Sequence, residues 1–124
     1  MNKKILIVED EAPILKLMQE VLEKEGFNII TANNGERGFE LAMSEKPQLI
    51  ILDLMLPKLS GREVLNKLRK TEEHKDTRIF ILTNISGVEN IESFVDSDKT
   101  SYFLKTDIKM KKLVKNIKEF FEDI

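Results

Sequence analysis

The sequence contains no cysteine, which excludes disulfides, thiol chemistry and zinc sites built on thiolates and suits a reducing compartment. It has no excess of positive charge: 20 Lys and Arg against 22 Asp and Glu leave a net charge of -2. A nucleic-acid surface calls for a clustered basic footprint, so no DNA or RNA binding is expected of this chain alone. No apolar run approaches the roughly 18 to 20 residues that span a bilayer. Glu9-Asp10-Glu11 also cuts the N-terminal apolar run too short for a signal peptide. The expectation is a soluble, cytoplasmic protein without membrane insertion. A glycine-rich phosphate loop, internal repeats, linkers and low-complexity segments are missing too. The single histidine, His74, lies in a polar stretch and is expected to be exposed and without a role.

What is present fits one globular domain over residues 1–124, with 41% hydrophobic and 34% charged residues. Three short apolar runs stop at charge. Ile5-Leu6-Ile7-Val8 meets Glu9-Asp10, Leu49-Ile50-Ile51-Leu52 meets Asp53, and Tyr102-Phe103-Leu104 meets Lys105. Such runs read as strands of a parallel sheet buried on both faces, with the charges surfacing where each strand emerges.

Helical periodicity separates the strands. Ile14, Leu17, Met18, Val21 and Leu22 share one helical face, with Pro13 suited to the first turn and Gly26 to the stop. Residues 28–32 read as a strand, Asn33-Asn34-Gly35 as a turn, and 36–44 as a helix with Phe39, Ala42 and Met43 inward. A helix over 62–71 packs Val64, Leu65 and Leu68, a polar loop covers 72–77, and a strand covers 78–82. Ser86-Gly87-Val88-Glu89 has capping-box spacing and opens a helix with Ile91, Phe94 and Val95 inward. The last helix, over 109–121, buries Leu113, Val114, Ile117 and Phe120 or Phe121. Five β-α units in alternation imply an α/β, doubly wound, five-stranded parallel sheet of order 2-1-3-4-5. Its switch point lies between the strands that end in Glu9-Asp10 and Asp53.

Ligands of open parallel sheets bind at the carboxyl ends of strands at that point, so topology alone gathers Glu9, Asp10 and Asp53. With Lys105 the group keeps two surplus negative charges, which a divalent cation would neutralise. All-oxygen ligands favour Mg²⁺, with Mn²⁺ able to substitute. A metal with open positions suits phosphoryl oxygens, and an adjacent Asp can act as a nucleophile that forms an acyl phosphate.

These marks, with Pro57 and Gly61 after Asp53, Thr83 after the fourth strand and Tyr102 in the fifth, resemble a response-regulator receiver domain over the full length. The resemblance extends to its single-domain, chemotaxis-regulator-like form and implies a flavodoxin-like (βα)5 fold. It implies that Asp53 accepts phosphate from a sensor histidine kinase or phosphotransfer protein. Asp10, Asp53 and the Met55 carbonyl would hold Mg²⁺, with Glu9 acting largely through water. Lys105 would pair with the phosphoryl group while Thr83 and Tyr102 switch, reshaping the surface of the fourth helix, fifth strand and fifth helix for a downstream protein. No turnover of a separate substrate is expected.

Some positions depart from the family. Thr106 follows Lys105 where a cis proline is usual, so the loop either stores about 3 to 4 kcal/mol of strain or is trans. Asn84 and Asp98-Lys99 replace small residues. Met55 and Ile85 would flank the phosphoryl group with apolar side chains and slow its hydrolysis. Taken singly, each mark has a structural reading: Glu9-Asp10 as acids at a helix start, Thr83 as a strand closure, Tyr102 as a core aromatic. Lys109, Lys111, Lys112, Lys115 and Lys118 read first as a solvated face and second as a partner surface. The alternative function is an interaction module of the same fold that does not use phosphate. A small-molecule phosphotransferase is disfavoured because Met55, not Asp, stands two residues after Asp53. The absence of an effector domain after Ile124 fits a stand-alone regulator and equally a domain of a longer chain.

Overall fold

The structure is a computed structural model and describes residues 3–83, 99–104 and 109–122. Its strands are β1 (Lys4–Val8), β2 (Asn28–Ala32), β3 (Leu49–Asp53), β4 (Arg78–Thr83) and β5 (Thr100–Leu104). They form one parallel sheet in the order β2-β1-β3-β4-β5, as expected from the alternation. The helices are α1 (Ala12–Lys24), α2 (Gly35–Glu45), α3 (Gly61–Arg69) and the C-terminal helix (Met110–Glu122). The expected helix opened by Ser86 and Glu89 lies outside the described residues.

Successive strand residues point to opposite faces, and that parity builds two cores. Ile5, Ile7, Leu49, Ile51, Phe80 and Leu82 pack with α1 and the C-terminal helix, through Met18, Leu22, Leu113, Ile117 and Phe121. Leu6, Val8, Ile50, Leu52, Ile79 and Ile81 pack with α2 and α3, through Ala42, Val64, Leu65 and Leu68. Full burial of each such side chain contributes about 1.5 to 3 kcal/mol, so a central strand tolerates a charge only at its end.

The helix limits follow from local chemistry. Pro13 sits in the first turn of α1, and Gly26, at φ 95°, takes the left-handed conformation that lets the chain turn back into β2. Asn34 caps α2 by accepting from the Arg37 N–H at 2.8 Å. Ser60 and Glu63 form a capping box on α3, a Ser-x-x-Glu signal that was equally visible in the sequence.

Two expectations are corrected. Leu17 is 47% exposed, because α1 turns Leu15 inward with Ile14, Met18 and Leu22. Leu15, Met18 and Leu22 fit the helical spacing as well as the face containing Leu17 does. His74 is 1% exposed rather than solvated. Its Nε2 donates to the Ala42 carbonyl at 2.6 Å and its Nδ1 bonds the Thr77 hydroxyl at 2.8 Å, so the loop after α3 is fastened to α2. Beside it Arg69 joins three segments. Nη1 donates to the carbonyls of His74 (2.9 Å) and Thr77 (2.6 Å), and Nη2 to the Lys99 carbonyl (3.2 Å) and Thr100 Oγ1 (2.9 Å). The start of β5 is thereby tied to the end of α3.

Candidate functional site

The site assembles at the carboxyl ends of β1 and β3. Pairing of Val8 with Leu52 sets these ends side by side, and the Glu9 N–H donates to Ala32 O at 3.0 Å, so Glu9 continues the line of β1. Its carboxylate turns back and accepts from the Glu11 N–H at 2.9 Å. Asp53 closes β3, and its Oδ1 accepts from the Met55 N–H at 3.0 Å. This Asx-type bond orients the carboxylate and starts the turn. Leu54 is held on both sides, by N–H to Leu82 O and by its carbonyl to the Gly61 N–H, each at 3.0 Å. A Cβ on Gly61 would lie 2.1 Å from the Asp53 carbonyl oxygen, so only glycine lets α3 begin this close to the strand.

One carboxylate oxygen each from Glu9, Asp10 and Asp53 lies within 4.8 Å of the others. Glu9 and Asp53 are buried, at 0% and 1%, while Asp10 is exposed. The expectation that the strand-end charges surface therefore holds for Asp10 and not for Glu9 or Asp53. Close carboxylates repel, and the positive N-terminal end of α1, which begins at Ala12, offsets part of that. The donor set fits Mg²⁺ in its chemistry: all three carboxylates offer hard oxygens and converge within 4.8 Å.

Met55 stands at the rim with a side chain 61% exposed. Thr83 is the last residue of β4, in register with Leu104, and Tyr102 lies opposite Ile81. The backbone of Thr83 is therefore at the same edge of the sheet as Asp53, which pairs with Leu82. Lys105, Thr106, Asn84, Ile85 and Asp98 lie outside the described residues. The lysine run of the C-terminal helix is exposed, and Lys118 pairs with Glu25 of the segment after α1.

The family model for the response regulator receiver domain matches residues 5–118. This chain belongs to that family. As a receiver domain of two-component response regulators, it carries its acidic cluster where the phosphoacceptor site belongs. It is 54% identical over 70 residues to the alkaline phosphatase synthesis transcriptional regulatory protein PhoP of Bacillus subtilis, a match covering 56% of this chain and 29% of PhoP. It is 45% identical over 100 residues to the transcriptional regulatory protein SrrA of Staphylococcus aureus, covering 77% of this chain and 40% of SrrA. The receiver domain thus spans well under half the length of these relatives.

Among solved structures, a CheY-like receiver domain protein from Methanospirillum hungatei superposes with a TM-score of 0.84 at 27% identity, covering 99% of this chain and 96% of the other. The response regulator TrrA of Thermotoga maritima, in complex with Mg(2+)-BeF, gives 0.78 at 34% identity, covering 94% and 97%. Among the described residues, no helix of this receiver domain is long and apolar enough to cross a membrane.

Proposed function

We propose that Asp53 is the phosphoacceptor and that the acidic cluster is its Mg²⁺ site. The carrying observation is the convergence of three carboxylate oxygens within 4.8 Å, one of them on a strand-terminal Asp whose orientation a backbone N–H fixes. An Asp53 carboxylate oxygen attacks the phosphorus of a phosphohistidine on a sensor histidine kinase or phosphotransfer protein. The P–N bond breaks as the new P–O bond forms, and the imidazole leaves with the electron pair and takes a proton. Asp10, Asp53 and the Met55 carbonyl would hold the cation, with Glu9 acting through water. Once bound, Mg²⁺ supplies the positive charge that makes gathering phosphoryl oxygens and carboxylates favourable.

Lys105 then pairs with the phosphoryl group, the Thr83 hydroxyl turns toward it and Tyr102 turns inward. These shifts favour a second arrangement of β5 and the C-terminal helix, with the helix expected between β4 and β5, for recognition by a downstream protein. Buried Glu9 holds the loop after β1 through the Glu11 N–H, which keeps Asp10 beside Asp53. The chain is a signalling domain without turnover of a separate substrate and works in the cytoplasm. Its longer relatives are named as transcriptional regulatory proteins, and a transcriptional output through further chain is the corresponding expectation.

Incubation with Mg²⁺ and acetyl phosphate, followed by intact mass, tests the reading. One added phosphoryl group is expected on the wild type, and none on Asp53→Asn or without Mg²⁺. An unlabelled wild type, or undiminished labelling of Asp53→Asn, overturns it.

A further inference from the structure

Between β5, the edge strand of the sheet, and the C-terminal helix lies a cavity of about 640 Å³ that shares no residue with the acidic cluster. Its size is within the roughly 300 to 1,000 Å³ of small-ligand sites, and its wall sets three aromatic rings among seven polar or charged side chains. Phe80, Phe103 and Phe120 supply the rings, with Phe80 and Phe103 at 5.3 Å between centroids. Ser101 and Asn116 add a hydroxyl and an amide.

The charges in the wall select the ligand. Lys99 and Asp76 pair with each other at 2.5 Å. This leaves Arg78 and Lys112 against Glu119, one positive charge in surplus. Arg78 lies over the Phe80 ring, 6.0 Å from its centroid, and its Nε is buried with no hydrogen-bond partner. A guanidinium so placed presents a planar fork beside an aromatic wall, matched by a carboxylate on a flat apolar body. By contrast, Arg69 in the same domain has its Nη donors used by backbone carbonyls and Thr100.

We propose that this cavity binds a small aromatic carboxylate, its ring against the half-buried Phe103 and Phe120 and its carboxylate on Arg78, which lies over the buried Phe80. Such a ligand would bridge β4, β5 and the C-terminal helix at a distance from Asp53. It would give the domain a chemical input separate from phosphorylation.

The test is titration of the ¹⁵N-labelled full chain with 2-naphthoate and with its neutral analogue 2-naphthamide, followed by two-dimensional NMR. Saturable shifts are expected at Arg78, Phe80, Ser101, Phe103 and Asn116, with the amide binding at least fivefold more weakly than the acid. Arg78→Gln should weaken naphthoate at least fivefold and leave naphthamide unchanged, Glu119→Gln should tighten naphthoate, and Asp53→Asn should bind as the wild type does. Three results would each overturn the proposal: no saturable shift, equal affinity for acid and amide, or shifts confined to the exposed lysines of the C-terminal helix. Because the readout does not depend on phosphorylation, its failure is distinct from failure of the role assigned to Asp53.

Discussion

Neutralising Asp53 should make the metal-free protein more stable and at the same time remove most of its response to Mg²⁺. Asp53→Asn is a clean perturbation, since the amide keeps an oxygen to accept from the Met55 N–H and changes little in volume. At the 4.8 Å limit of the cluster, a pair of unit charges repels by about 0.9 kcal/mol in water and about 3.5 kcal/mol at an effective dielectric constant of about 20. Burial of Glu9 and Asp53 pulls their pair toward the larger figure, and exposure of Asp10 pulls its pairs toward the smaller. The variant loses two repulsions, together with about 0.3 to 1 kcal/mol of attraction to the start of α1. A net gain of about 2 to 4 kcal/mol remains, or about 8 to 16 °C in melting temperature at about 4 °C per kcal/mol.

Magnesium works against that difference. At a concentration 100 times its dissociation constant, a cation binding only the folded state adds about 2.7 kcal/mol to the wild type, whereas the variant lacks one charged ligand and gains little. Thermal melts in EDTA and in Mg²⁺, at matched ionic strength, read both effects. The reasoning is refuted if Asp53→Asn melts no higher than the wild type in EDTA, or if Mg²⁺ raises both by the same amount.

Gly61→Ala places a Cβ 2.1 Å from Asp53 O and 2.6 Å from Leu54 Cα. It should cost about 1 to 3 kcal/mol in urea melts, and it should slow acetyl phosphate labelling because relief requires the end of β3 to move. Arg69→Met strips two loop carbonyls, the Lys99 carbonyl and buried Thr100 of their donor, for an expected loss of about 2 to 4 kcal/mol by urea denaturation with Asp53 still labelled. Met55→Asn with Ile85→Glu should shorten the phosphoryl half-life several-fold by admitting water past the exposed Met55 rim, followed as decay of the phosphorylated mass. An unchanged half-life would remove the apolar-shield argument.

The parts of this molecule that were legible in the sequence are those whose position depends on topology. Once five apolar runs alternate with helical periodicity, right-handed crossovers leave few sheet orders, and the order β2-β1-β3-β4-β5 puts the residues after Val8 and Leu52 together whatever their distance in the chain. Glu9, Asp10 and Asp53 could therefore be named in advance. Their burial could not, because it depends on how tightly the loops after β1 and β3 close. For the second of these, the close contact of Gly61 with the Asp53 carbonyl is a distance that no sequence spacing encodes.

Leu17 and His74 show the same limit from two sides. Periodicity assigns a helical face to within about one residue's rotation, and with apolar residues at 14, 15, 17, 18, 21 and 22 two faces compete. The sheet surface decides between them. His74 lay in a polar stretch because its partners, the Ala42 carbonyl and the Thr77 hydroxyl, are ordinary groups that carry no motif. The acceptors of Arg69 on Lys99 and Thr100 are 30 and 31 residues away, and three of the four acceptors described for it are backbone carbonyls that any residue would supply. A side chain that recognises backbone leaves no second residue to find. A carboxylate cluster must be built from particular residue types at particular strand ends. The chemistry of the receiver site was therefore readable, while the clasp holding the start of β5 to α3 emerged only from the fold.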